Sequence, residues 1–189
     1  MKKIFLFVSL LILLSCSSDE YETGTIERKF VLEEIALIGE ADIDKVGTME
    51  EVEYKIYNDD SIYSVSDFLN ISRVKKSNEF PVDLKDDDEN LITPNAIGIY
   101  TMFYRHSDLG SLDLELRIYN SNKEAIDFGK KSAEKSISTV ALTIGGHVRS
   151  EKYLYDAYVL KGNSILLCQN SLTICDEIYK EIDLSLIHI

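Results

Sequence analysis

The sequence has no tryptophan, and its 189 residues include only two prolines, three histidines and three cysteines. With so few histidines, and none close to a cysteine, we expect no zinc site. Positive charge is also scarce, since 20 Lys and Arg stand against 33 Asp and Glu, a formal net charge of −13. An acidic chain is repelled by nucleic acid and by anionic lipid headgroups. We therefore expect neither as a partner, whereas a basic protein or a cation fits this charge.

Long apolar runs are limited to residues 4–14 (IFLFVSLLILL), which follow Lys2 and Lys3. A helix of this length spans about 17 Å, which is too short for a bilayer core of about 30 Å. The basic start, the short apolar core and the small residue Ser15 are typical of a secretory signal peptide. Residues 13–16 (LLSC) resemble the lipobox of bacterial lipoproteins. This resemblance implies that residues 1–15 are removed and that Cys16 carries acyl chains, such as palmitate, that anchor the protein to a membrane.

The residues after Cys16 are strongly polar. Residues 17–20 (SSDE) are similar to the acidic export signal of surface lipoproteins from Bacteroidota, which implies an outer-membrane protein on the cell surface; the periplasmic face is the alternative. We expect residues 16–28 to form a tether. Removal of residues 1–15 leaves 18 basic and 33 acidic residues, a formal net charge of −15.

Alternating polarity identifies the strands of the domain that follows, which we place at residues 29–183. Residues 51–57 and 112–119 alternate cleanly, and the second run places Asp113, Glu115 and Arg117 on a face exposed to solvent. Residues 153–160 and 164–168 predict a hairpin that turns at Gly162 and Asn163. The polar residues 75–92, which contain Pro81, mark a candidate subdomain boundary.

Two helices are predicted, over residues 122–136 and 172–182. The first has a capping box that begins at Ser121, and its predicted inner stripe is Ile126, Gly129, Ala133 and Ile137, with Phe128 beside it. These elements predict an α+β fold, a mainly antiparallel sheet with two or more helices packed on one face. The element order from Leu112 onward is similar to a ferredoxin-like split βαβ unit that lacks its last strand.

The last six residues, 184–189 (LSLIHI), match the translation of a transposase-end adapter that is used in sequencing libraries. We therefore interpret this segment as an artefact, with the native sequence interrupted near Asp183. A natural apolar tail is the alternative.

Two kinds of covalent site can be proposed besides Cys16. Cys168 and Cys175 permit a disulfide in an oxidising compartment, and two buried free thiols are the alternative. Asp60, Ser61 and Ile62 resemble the O-glycosylation pattern of Bacteroidota, which makes Ser61 a candidate acceptor.

Metal-binding and catalytic patterns are weak. Asp83, Asp86, Asp87, Asp88 and Glu89 form a dense acidic cluster that could bind Ca²⁺, but the spacing is not that of an EF-hand, and a solvated loop explains it better. His147 follows two glycines and His106 lies in a polar turn. No nucleophile–base arrangement accompanies either histidine, and we expect no cofactor.

These observations favour a lipid-anchored envelope protein that acts as a non-enzymatic binding module, of an immunity type or an assembly type, with a basic protein as its partner. The alternative is a small envelope enzyme that acts on glycan or peptide and uses a site assembled from distant residues.

Overall fold

A computed structural model describes residues 20–31, 47–77, 95–138, 140–145, 148–153, 155–169 and 171–187. The strands are β1 (Tyr21–Val31), β2 (Gly47–Tyr57), β3 (Arg73–Lys76), β4 (Gly98–His106), β5 (Gly110–Ile118), β6 (Val140–Gly145), β7 (Val148–Tyr153), β8 (Ala157–Lys161) and β9 (Ser164–Cys168). The helices are α1 (Val65–Leu69), α2 (Asn122–Glu124), a π-helical turn (Ala125–Gly129), α3 (Lys130–Ser138) and α4 (Leu172–Ile187).

Seven strands form one sheet in the order β1-β2-β8-β9-β5-β4-β3, and β6 and β7 form a separate hairpin. Neighbouring strands of the large sheet are antiparallel except for β2 and β8, which are parallel. This architecture confirms the predicted α+β fold with a mainly antiparallel sheet. The candidate boundary separates β3 from β4 in the chain. These two strands pair with each other, so both sides of the boundary belong to one sheet.

Helices α1 and α4 share one face of the sheet. Phe68 of α1 and Tyr179 of α4 contact each other edge to face, with ring centroids 6.1 Å apart, and pack with alternate residues of β5 such as Leu114 and Leu116. Helix α3 covers the opposite face through Ala133 and Ile137. Every residue of β8 and β9 is buried because these central strands are covered on both sides.

The order of β5, β9 and β8 is that of a split βαβ unit, since β9 lies between two strands and runs antiparallel to both. The other side of β5 pairs with β4. Helices α3 and α4 lie on opposite faces of the sheet, whereas a ferredoxin-like unit has both of its helices on one face. Helix α4 continues past Asp183 to Ile187.

Residues 153–160 are not one strand as predicted, since Tyr153 ends β7 and β8 begins at Ala157. The structure differs from the sequence expectations in three further places. Tyr21–Val31 form β1 along the whole length of β2, so part of the predicted tether belongs to the folded domain. Glu115 and Arg117 are buried rather than exposed to solvent, because α3 covers that face of β5.

The third difference is the phase of the first long helix. Ile126 and Phe128 are exposed, at 41% and 44%, so neither belongs to an inner stripe, whereas Ala125, Gly129, Ala133 and Ile137 are buried. The π-helical turn over Ala125–Gly129 accounts for the change, because an i→i+5 turn rotates the preceding residues relative to an ideal α-helix.

Candidate functional site

A cleft of about 460 Å³ opens where β2 separates from β8. Strand β2 begins at Gly47 but pairs with β8 only from Glu53 to Ile56, so its first half extends beyond the neighbouring strand. The cleft is lined by Thr25, Arg28, Glu51, Val52, Glu53, Asp156, Ser171 and Leu172. Its walls therefore come from β1, β2, the approach to β8 and the start of α4.

The acidic wall of the cleft is formed by Glu51 and Glu53. Residues two apart in a strand point to the same face, with Cα atoms about 7 Å apart. Both glutamates are exposed, and Thr25 of β1 lies directly opposite Glu53. Their spacing leaves room for one cationic group between two carboxylates.

Arg28 forms the buried part of the cleft and is 5% exposed. Its Nη2 donates to Asp156 Oδ1 at 2.7 Å, and its Nη1 donates to the main-chain oxygen of Tyr155 at 2.9 Å. The positive charge of Arg28 is thus balanced by Asp156 inside the structure. Glu51 and Glu53 supply the surplus negative charge of the cleft.

A buried polar network lies behind this segment. Arg117, which is fully buried, donates through Nε to Glu115 Oε1 at 2.6 Å and through its terminal nitrogens to Ser132 and Ser136 of α3 at 3.0 and 2.8 Å. The hydroxyl of Tyr155 donates to Glu115 Oε2 at 2.9 Å. Burial, and then the nearby Glu115 carboxylate, raise the pKa of Tyr155. The network therefore fixes the residue whose carbonyl oxygen holds Arg28.

A second polar cluster joins β2 to α4. Asp176 accepts a hydrogen bond from Lys55 at 3.0 Å and one from the hydroxyl of Tyr57, and Lys180 lies 3.0 Å from its other oxygen. Burial raises the pKa of Asp176, but these three partners outweigh it and the net pKa is lowered. This cluster stabilises the contact between β2 and α4 on the far side of the sheet from α3.

The two cysteines at the C-terminal end of the domain are joined by a disulfide. Cys168 ends β9, Cys175 lies in α4, and their Cα atoms are 5.8 Å apart, within the usual range for such bridges. Both are fully buried. The bridged segment contains Ser171 and Leu172, so the disulfide restrains one wall of the cleft.

Ser61 lies on the surface between β2 and α1. Its hydroxyl and main-chain N–H both donate to Asp59 Oδ1, at 2.6 and 2.7 Å, and its main-chain oxygen accepts from Asn163 N at 3.0 Å. The side chain of Asn163 also accepts from Tyr63 N at 2.6 Å. The loop is therefore held to the turn between β8 and β9 while the Ser61 side chain stays exposed. Glycosylation of Ser61 stays a prediction.

His106 has a structural role in the β4–β5 turn. Its Nδ1 accepts from the main-chain N–H groups of Asp108 and Leu109 at 3.1 and 3.2 Å, and its Nε2 lies 3.4 Å from a Glu177 oxygen. The remaining candidates lie outside the described residues: Cys16, His147 and the acidic residues Asp83, Asp86, Asp87, Asp88 and Glu89. Among the described residues, no group of three or more potential ligands is placed to hold a metal ion.

The cleft was not identified from the sequence. Glu51 and Glu53 gave a local signal, because they alternate on one face of a strand, but Thr25, Asp156 and Ser171 come from distant positions. Comparison with protein-family models, with curated proteins and with solved structures gave no match. No helix in the described ranges is both long and apolar enough to cross a membrane.

Proposed function

We propose that this chain is a lipid-anchored protein of the bacterial outer membrane that acts as a non-enzymatic binding module for a basic partner protein. The carboxylate-lined cleft carries the proposal. Glu51 and Glu53 are exposed on one face of β2, and Asp156 already balances Arg28. A lysine or arginine side chain of the partner would enter between the two glutamates and replace part of its hydration with carboxylate contacts.

The size of the electrostatic contribution is modest. An exposed charge pair contributes about 0.2–1 kcal/mol, and the interaction weakens as salt increases. Two such pairs correspond to a loss of about 2- to 30-fold in affinity when both carboxylates are neutralised. The acidic composition of the whole chain, with a net charge of −13, adds long-range attraction and speeds association with a basic partner. An immunity-type protein that neutralises a basic toxin and an assembly-type subunit both fit this chemistry.

A charge-matched pair of variants tests the cleft. The full-length chain in neutral detergent micelles is titrated into fluorescently labelled hexa-arginine, and fluorescence anisotropy is measured. Glu51→Gln/Glu53→Gln should weaken binding by about 2- to 30-fold. The control Glu20→Gln/Asp60→Asn removes two exposed acids outside the cleft and should change the affinity less than twofold. Equal losses in the two double variants would show that bulk charge, rather than the cleft, determines binding.

The anchor has a separate test. The wild-type chain and Cys16→Ser are expressed in a bacterial host that is fed radiolabelled palmitate. Label in the wild type and its loss in the variant support acylation of Cys16, and label in both chains contradicts it. Digestion of intact cells of a Bacteroidota host by an added protease then distinguishes the cell surface from the periplasmic face.

A further inference from the structure

One part of the sheet is left open by the described helices. On the face opposite α1 and α4, helix α3 packs over β1, β8 and β9. The same face of β3 and β4 presents Arg73, Lys75, Thr101, Phe103 and Arg105, which we call the β3–β4 surface. Arg73 lies opposite Phe103 and Lys75 opposite Thr101 in the strand register. Phe103 is 36% exposed, although it lies one strand in from the edge.

The β3–β4 surface concentrates three positive charges, and one acid, Asp113 of β5, lies opposite Phe103 on the same face. Within the described ranges, no salt bridge involves Arg73, Lys75 or Arg105, and the guanidinium of Arg73 lies 5.6 Å from the centre of the Phe103 ring. By contrast, Lys55 and Lys161 of the same sheet form ion pairs with Asp176 and Asp183. The surface is thus a basic area on a strongly acidic protein.

Strand β3 also has an open edge. It is the last strand of the sheet, and β4 is its partner among the described strands. Ser77 N donates to the main-chain oxygen of Ile99 at 2.8 Å. Ser77 and Ile99 therefore form a hydrogen-bonded pair that continues the register between β3 and β4. Hydrogen-bonded pairs alternate with non-hydrogen-bonded pairs along two antiparallel strands. The main-chain N–H and C=O groups of Val74 and Lys76 therefore point away from β4. No described residue pairs with these groups on that side of β3, which leaves them for an added strand.

Basic edge strands also serve to prevent edge-to-edge association. That explanation accounts for Arg73, Lys75 and Lys76, which lie on the edge strand itself. It does not account for the exposed Phe103 and for Arg105 on the next strand inward. An aromatic ring bordered by cations on an open sheet face is better suited to contact with a partner.

We propose that the β3–β4 surface binds an extended acidic segment of a partner protein, which adds to the sheet beside β3. The main chain of the segment would pair with Val74 and Lys76. Alternate side chains would point to the open face, where carboxylates about 7 Å apart would lie beside Arg73 and Lys75. Arg105 would attract the flanking acids. This site goes beyond the cleft proposed above, because it has the opposite charge and lies at the other end of the sheet.

Charge-matched variants of the full-length chain test the surface. The probe is a fluorescently labelled, terminally blocked peptide of four alternating Glu-Thr repeats, and its binding is measured by anisotropy in neutral detergent. Arg73→Gln/Lys75→Gln/Arg105→Gln should weaken binding at least tenfold. The control Lys123→Gln/Lys131→Gln/Lys180→Gln removes three exposed charges elsewhere on the molecule and should change binding less than threefold. Equal losses in the two triple variants would overturn the proposal, as would no binding to the wild type.

A matched probe tests strand addition separately. A peptide of four Glu-Pro repeats has the same charge, but it cannot donate main-chain hydrogen bonds from its prolines. It should bind at least tenfold more weakly than the Glu-Thr peptide, and equal affinity would overturn strand addition. Two further results would overturn the choice of partner. One is binding to phosphatidylglycerol vesicles that the surface triple variant abolishes, without binding to the peptide. The other is self-association in sedimentation that the same variant abolishes. Matching melting curves for both variants exclude a folding defect.

Discussion

Replacing Arg117 tests whether the buried network behind the cleft is held together by charge. Arg117 is fully buried, and it donates hydrogen bonds to Glu115, Ser132 and Ser136. Arg117→Met keeps an unbranched side chain in a similar volume but removes the cation. Glu115, which is 5% exposed, then keeps the hydroxyl of Tyr155 as a donor and loses the ion-pair partner that balances its charge.

The magnitude follows from the cost of a buried charge without its counter-ion. Breaking a buried ion pair by removing one partner costs about 3–5 kcal/mol, whereas replacing both partners by apolar residues is often close to neutral. We therefore expect Arg117→Met to lower the free energy of unfolding by about 3–5 kcal/mol. Glu115→Leu/Arg117→Met should lose only about 1–3 kcal/mol, because the hydroxyls of Ser132 and Tyr155 each lose one hydrogen-bond partner. Ser136 keeps its hydrogen bond to the main-chain oxygen of Ser132.

Urea unfolding at pH 7, followed by circular dichroism on the full-length chain in detergent, measures both variants. The denaturant slope must match that of the wild type for the free energies to be compared. The double variant should be more stable than the single Arg117→Met variant. A single variant within 1 kcal/mol of the wild type, or a double variant as unstable as the single one, would show that charge does not hold the network together.

Three further predictions concern the scaffold around the cleft. Gly162→Ala should destabilise the fold by about 2 kcal/mol or more in the same urea assay, because Gly162 has φ +54° and an added Cβ would lie 2.1 Å from Ser61 O; an unchanged midpoint contradicts this. Cys168→Ser/Cys175→Ser should lower the free energy of unfolding by about 2.5 kcal/mol, because the disulfide no longer restricts the conformations of the unfolded chain. An unchanged free energy of unfolding would show that the bridge contributes nothing. The pKa of Asp176 is lowered from its ordinary value of 3.8. Its ionised form therefore stabilises the fold above pH 3.8, and this stabilisation is lost as the pH falls through the lowered pKa of the folded state. Wild-type stability should therefore drop more than that of Asp176→Asn between pH 5 and pH 2 in calorimetry, and parallel curves would argue against a lowered pKa.

Several elements could be predicted from the sequence because their signal is local. The alternation in residues 51–57 and 112–119 identified β2 and β5, and the Gly162-Asn163 turn identified the β8–β9 hairpin. The apolar stripe of α4 is buried as expected, with Ile174, Cys175, Ile178, Tyr179 and Ile182 in the core. In each case the period of the pattern matched the geometry of the element.

Other features depend on contacts that a local pattern cannot contain. Alternation in β5 separates two faces but does not tell whether a helix covers the polar one, and α3 buries Glu115 and Arg117 there. The π-helical turn rotates Ile126 and Phe128 outward, and the period of the apolar residues does not predict such a turn. The cleft combines Thr25, Glu53 and Asp156, which become neighbours only through the pairing of β1, β2 and β8.

The most direct test of the proposed binding cleft is to map where a basic probe contacts the protein. Hexa-arginine is titrated into the ¹⁵N-labelled full-length chain in deuterated detergent, and amide chemical shifts are followed by NMR. We predict that the largest shifts occur at Thr25, Glu51, Glu53 and Ser171, which line the cleft, and that Asp60 and Ser61 are little affected. Shifts spread over all acidic surfaces, or concentrated away from the cleft, would contradict it.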